Sequence, residues 1–135
     1  MNRKKARTEA FYLIFEKCFK DDENLEQIKN TALEARDYES DDFIDTLSNG
    51  VIDNLEKIDV LIEENLKGWK FNRISKVNIS ILRLAVYEML FEDSVPVSVS
   101  INEAVELAKK FSDQKDASYI NGVLGSIAKK HCSEE

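Results

Sequence analysis

Apolar residues recur along this chain at three- and four-residue intervals almost throughout, the spacing of one helix face. From Lys5 to about Lys20, Ala6, Ala10, Leu13, Ile14 and Cys18 form one stripe, while Phe11, Phe15 and Phe19 form a second. So wide an apolar face needs more than one neighbouring helix. The acidic stretch "DDEN" is expected to stop this helix, and Leu25, Ile28, Ala32 and Ala35 mark a second. Asp41 or Asp42 can cap a third, in which Ile44, Leu47, Val51, Leu55, Ile58, Ile62 and Leu66 keep the helical step. That helix would run roughly 39 Å at 1.5 Å per residue. Gly50 inside it predicts a close helix crossing, and Gly68 a C-terminal stop before Trp69.

"KGWKFNRIS" reads as a turn between two halves. Beyond it, Ile74, Val77, Ile81, Leu84 and further apolar residues to Phe91 predict a helix that is apolar on most sides, suited to the middle of a bundle. Pro96 breaks the pattern. Ser100 and Glu103 fit a capping box for a fifth helix, with Ser98 an equal candidate for the cap. The last helix is expected to start near Asp116 and to face inward through Ile120, Val123, Leu124, Ile127 and Ala128. Six helices, or seven if one is split, predict an all-α fold of two three-helix subdomains sharing a core. The subdomains are residues 1–68 and 69–135.

Composition then excludes several classes. A chain of 135 residues with 43% apolar and 33% charged residues suits one soluble globular domain. Four glycines and one proline leave little punctuation for hairpins. The most apolar stretch, "VNISILRLAVYEMLF", is interrupted by Arg83 and Glu88 and falls short of a membrane span, and no signal-peptide core follows the N-terminus. A cytoplasmic protein is expected. Two distant cysteines and one histidine offer neither a disulfide framework nor a zinc site. "NGVLG" follows no strand, so Gly122 and Gly125 are expected to admit a close helix neighbour rather than a phosphate. His131 beside Cys132 lacks an orienting third group, and no two carboxylates bracket a substrate. Neither an enzyme nor a bound cofactor or metal is expected.

Charge changes the picture. The formal net charge is -7, yet Arg3, Lys4, Lys5 and Arg7 fall within the opening "MNRKKAR". A terminal basic tract is ordinarily a solvated tail. Here Arg7 lies within the first helical pattern, and Tyr12 and Phe15 follow within two turns, where unpaired bases could stack on them. The acidic remainder confines a polyanion to this end. Core packing competes for both aromatics, more strongly for Phe15.

"ILRLAVYEMLF", the single proline after it, "VSINEAVELAKKF", "YINGVLG" and the basic "RKKARTEAFYLIF" together resemble the NusB family of bacterial transcription antitermination factors, over nearly the whole chain. That resemblance implies a helical protein that binds boxA RNA of ribosomal RNA leader transcripts with NusE, a ribosomal small-subunit protein. It implies that the complex joins the RNA polymerase elongation complex and resists premature termination, without catalysing a reaction. Arg3, Lys4, Lys5 and Arg7 are then the expected RNA contacts, with Tyr12, Lys115 and Tyr119. Lysine in this tract keeps charge but gives up bidentate phosphate geometry. Core packing is an equal expectation for Tyr119. Phe15, Arg73, Asn78 and Tyr87 are the expected partner contacts, Asn78 standing where an acidic residue is usual. Arg83, Glu88, Asn102 and Glu103 are expected to hold helices together. A homodimer that hides the RNA surface is compatible with this reading.

Two rivals remain at the level of sequence. A helical protein–protein adaptor with an incidental basic tip fits the acidic balance. A NusB-like domain also begins some ribosomal RNA cytosine methyltransferases, but this chain carries no nucleotide-binding αβ unit and no catalytic cysteine motif. Four phosphate contacts to single-stranded RNA predict a log–log salt slope near roughly -3, which separates RNA binder from adaptor.

Overall fold

In the computed structural model, residues 2–20, 22–35 and 41–132 are described, residues 33–35 by their backbone alone. Their regular structure is entirely helical: α1 (Arg3–Lys17), α2 (Leu25–Ala35), α3 (Asp42–Asp53), α4 (Leu55–Glu64), α5 (Lys76–Phe91), α6 (Val97–Phe111) and α7 (Gln114–His131), with a 3-10 turn over Phe71–Arg73. Asp21 of the expected acidic stop and the side chain of Ala35 lie outside the described residues.

The apolar-all-round helix takes the central place its pattern demands. α5 packs against α1, α3, α4, α6 and α7. Ile81, Leu82 and Val86 are fully buried in it, in one cluster with Leu13 and Ile14 of α1, Leu47 of α3, Ile62 of α4 and Leu124 of α7. Each such side chain contributes roughly 1.5–3 kcal/mol by leaving water. A single core therefore runs through both halves of the chain.

Several boundaries differ from the apolar periodicity, each for a polar reason. The long third helix is two, because Asn54 donates from its side-chain amide to the Gly50 carbonyl at 2.8 Å and takes a non-helical backbone (φ -114°, ψ 20°). Its side chain competes with the helical ladder. Asp41 is the cap of α3, accepting from the Phe43 and Ile44 amides. The capping box expected at Ser100 does not form, since α6 already starts at Val97 behind Pro96 and the Ser100 hydroxyl donates instead to Glu88. A reciprocal box exists at α2, where Asn24 and Gln27 each accept from the other's backbone amide at 2.9 and 2.7 Å. α7 begins two residues early because Asp113 caps it through the Asp116 amide.

The glycines divide. Gly50 sits under the Tyr87 ring, so close that a Cβ would collide with it, as the expected helix crossing requires. Gly68 turns the chain with φ 89°. Gly122 and Gly125 correct the expectation of close packing: both are exposed, and a Cβ on either would meet nothing within 4 Å.

Candidate nucleic-acid interface

α1 begins one residue after Asn2, whose side chain accepts from the Lys5 amide at 2.8 Å. Arg3, Lys4 and Lys5 thus occupy the first helical turn and are all exposed, with no acidic residue in that turn. A helix N-terminus is the positive end of the dipole and favours anions, so three cations there cost roughly 0.3–1 kcal/mol each. A sequence optimised only for stability would place Asp or Glu in that turn. The field of the cations adds to that of the helix end, and a polyanion relieves both. Arg3 lies over the Phe43 ring, 4.0 Å from its centre, and Lys4 pairs with Glu103 at 3.2 Å while its side chain stays 68% exposed.

Arg7 is one turn further and differs in kind. It is only 6% exposed, and its guanidinium grips Glu88 with two bonds, Nε to Oε2 at 2.6 Å and Nη2 to Oε1 at 3.0 Å. The Ser100 hydroxyl donates to the same Oε1 at 2.9 Å. This bidentate set joins α1, α5 and α6. Its guanidinium is spent inside the fold, which corrects the expectation of a fourth phosphate contact at the tip.

Two pairs set the direction of a seam between α1 and α6. Lys4 meets Glu103, and Tyr12 meets the edge of Phe111 with ring centres 5.7 Å apart. The helices therefore run side by side in the same sense, and the eight-residue step corresponds to about 12 Å. Tyr12 is half-buried and Lys110 lies over the Phe111 ring. Just past Phe111, exposed Lys115 stands in the first turn of α7. Tyr119 stacks on Trp69 at 3.8 Å, its hydroxyl accepting from the Lys67 amide and donating to the Lys67 carbonyl.

The four expected partner residues do not share a surface. Asn78 and Tyr87 are nine positions apart on α5, hence on opposite sides of a helix with 3.6 residues per turn. Asn78 is buried against α7, with its side-chain amide donating to Asp116 at 2.9 Å. Tyr87 faces Gly50 of α3 and stacks on Phe91, and burial, then the charges of Glu92 and Asp53, push its hydroxyl pKa up. Arg73 is exposed at the end of the 3-10 turn. Phe15 is half-buried, stacked on Phe11 and edge-on to Phe19, which is 61% exposed.

The expected helix-holding pairs are largely present: Arg83 bonds both carboxylate oxygens of Asp59 at 2.9 Å, and Glu88 and Glu103 act as described. Asn102 is exposed. Sequence reasoning missed Phe43, Phe111 and Asp116. The first two are ordinary apolar positions in their helices. Asp116 was visible only as a helix-start residue, and nothing in linear order pairs it with Asn78.

Comparison with known proteins is consistent along the chain. Residues 4–129 match the model of the NusB family. A transcription antitermination protein NusB of Clostridium botulinum is 43% identical, over 94% of this chain and 99% of that one. One of Acetivibrio thermocellus is 47% identical, over 96% and 90%. Among solved structures, T. maritima NusB aligns with a TM-score of 0.88 at 37% identity, covering 98% of this chain and 94% of that chain. A structure of the antitermination factors NusB and NusE in complex with double-stranded RNA aligns at 0.84 with 29% identity, covering 95% and 96%. With a family-model match over residues 4–129 and relatives of this identity over nearly its full length, the chain belongs to the NusB family.

Proposed function

We propose that this protein is an RNA-binding transcription antitermination factor that binds boxA RNA of ribosomal RNA leader transcripts together with NusE. The observation that carries the reading is the first turn of α1, three exposed cations at the positive end of a helix with no acidic residue in that turn. Such an arrangement is locally unfavourable until an anion arrives. Lys115 and the half-buried Tyr12 extend the track along the α1–α6 seam. The RNA-facing residues of the proposal are Arg3, Lys4, Lys5, Tyr12, Lys115 and Tyr119, with Arg7 holding α1 in place behind them. Phe15, beside exposed Phe19, and Arg73 are offered to NusE, and the acidic body suits a basic ribosomal protein.

The proposal extends to the elongation complex: the bound pair joins RNA polymerase in the cytoplasm and helps it resist premature termination, with no reaction catalysed. Residues 1–68 bring the cationic turn and residues 69–135 the Lys115–Tyr119 end of the track. No helix among the described residues is long and apolar enough to cross a membrane.

The test is a titration of fluorescent single-stranded boxA RNA and a scrambled control, with and without NusE. Preference for boxA that tightens with NusE is expected. Equal weak binding of both RNAs in the presence of NusE would sink the RNA reading and leave a protein–protein adaptor. A homodimer would hide the tip, so sedimentation of the free chain is measured alongside.

A further inference from the structure

Arg3 and Lys4 share the first turn of α1, but other helices receive them differently. Lys4 pairs with Glu103 of α6 at 3.2 Å, so lysine and carboxylate together carry no net charge. A phosphate arriving at Lys4 must displace or oppose that carboxylate. Arg3 has a partner of another kind: its guanidinium carbon lies 4.0 Å from the centre of the Phe43 ring on α3. An aromatic face attracts a cation through its quadrupole and carries no charge of its own. The Arg3–Phe43 pair therefore keeps its full positive charge, and the ring does not compete with a phosphate oxygen for the guanidinium N–H donors. One contact neutralises a cation; the other holds a cation ready.

The ring is itself held in place. Phe43 is the second residue of α3, and its backbone N–H donates to the capping Asp41 carboxylate at 2.8 Å. Its side chain is half-buried against the core, and the guanidinium carbon of the enclosed Arg7 lies 5.7 Å from the same ring centre. Arg7 is fixed by Glu88, so its place beside the ring is set by the fold. Arg3 is exposed, and a long surface side chain ordinarily gives up rotamer freedom when it binds a phosphate. Resting on Phe43, it has given up part of that freedom beforehand. An arginine gains more from this than a lysine would, because its planar fork offers two parallel bonds to one phosphate. We propose that Phe43 is a positioning residue for RNA binding: it presents the Arg3 guanidinium, charged and pre-ordered, to a phosphate of the bound strand. Arg3 is then the leading phosphate contact of the first turn, and Phe43 acts through it without touching RNA. This rests on the RNA-binding reading and deepens it.

The test is a double-mutant cycle on the full-length chain, read by titrating fluorescent single-stranded boxA RNA with NusE present at several salt concentrations. Phe43→Leu keeps an apolar side chain against the core and removes the aromatic face. Phe43→Met does the same with a more adaptable chain, so that failure of either to fold leaves the other to decide. Each is expected to bind RNA about threefold more weakly, the scale of an exposed cation–π contact. The salt slope should stay at the parent value, since Arg3 keeps its charge. Phe43→Tyr retains the face and should bind as the parent does. Arg3→Ala should lose more affinity together with about 0.7 of slope, and adding Phe43→Leu to it should remove no further affinity. Parent affinity in folded Phe43→Leu overturns the proposal and leaves the RNA reading standing. An equal loss from Phe43→Leu with and without Arg3 also overturns it, and assigns the ring to the seating of Arg7 and α1. Phe43→Tyr as weak as Phe43→Leu overturns it as well. Absence of any RNA binding by the parent chain overturns both.

Discussion

The first and second turns of α1 carry the same kind of residue and do opposite work. Arg3, Lys4 and Lys5 point to solvent at the positive end of the helix, whereas Arg7 is enclosed with Glu88 and Ser100. In the first turn the charge opposes the helix and is available to a ligand. In the second it is neutralised and joins three helices. A cluster of cations in sequence is therefore not one site: its exposed part is open to a ligand, and its buried part ties α1 to α5 and α6.

The largest effect should come from breaking the buried side. Glu88→Ala leaves the Arg7 guanidinium enclosed without its partner, and about 3–5 kcal/mol of stability should go, read by denaturant unfolding. Replacing both residues together with apolar side chains of similar volume should cost far less. Should Glu88→Ala unfold like the parent chain, Arg7 would be able to reach solvent, and the contrast between the turns would vanish.

Next in size is the crossing that seats α3 on α5. Gly50→Ala drives a methyl group into the Tyr87 ring, with an expected loss of about 1–3 kcal/mol. Gly125→Ala, equally glycine-to-alanine on a helix but facing open space, should instead stabilise by up to about 1 kcal/mol. Similar melting temperatures for the two variants would contradict the packing described.

These predictions mark where the sequence was legible. Helical class and the central place of α5 follow from apolar spacing, because burial is a property of faces and faces are periodic, and the crossing at Gly50 follows from a glycine set inside a helical pattern. The splitting of the third helix was not readable from spacing, since Asn54 acts through a hydrogen bond to its own Gly50 carbonyl while the apolar step continues unbroken. Nor was the fate of Arg7: its partner is distant in sequence, and a basic tract looks the same whether a member is paired or free. Ser100 shows the same limit from the other side, a good capping residue by spacing that the Glu88 carboxylate claims instead. Candidate site residues were thus found by type, but their roles depended on contacts that linear order does not contain.

A smaller effect concerns the far end of the track. Asp116 has its pKa lowered by the bonds from Asn78 and Ser112, so its stabilisation is present above the unfolded carboxylate value of about 3.9 and is lost as pH falls through the lower folded value. Unfolding measured across that acid window should show the loss in the parent chain, and Asp116→Asn should remove that component. An unchanged acid limb in the variant would mean that Asn78 and Ser112 do not hold the charge. Lys4→Ala is expected to have the least effect on stability, within about 1 kcal/mol, because its pair with Glu103 is exposed.

The deciding measurement is the salt dependence of boxA RNA binding by the parent chain and by a variant with Arg3, Lys4 and Lys5 all changed to alanine, each shown by unfolding to be equally folded. Three single-strand phosphate contacts correspond to a log–log slope of roughly -2, so the variant should bind more weakly and lose about that much slope. An unchanged slope and affinity in the folded triple variant would contradict the assignment of RNA to the first turn of α1.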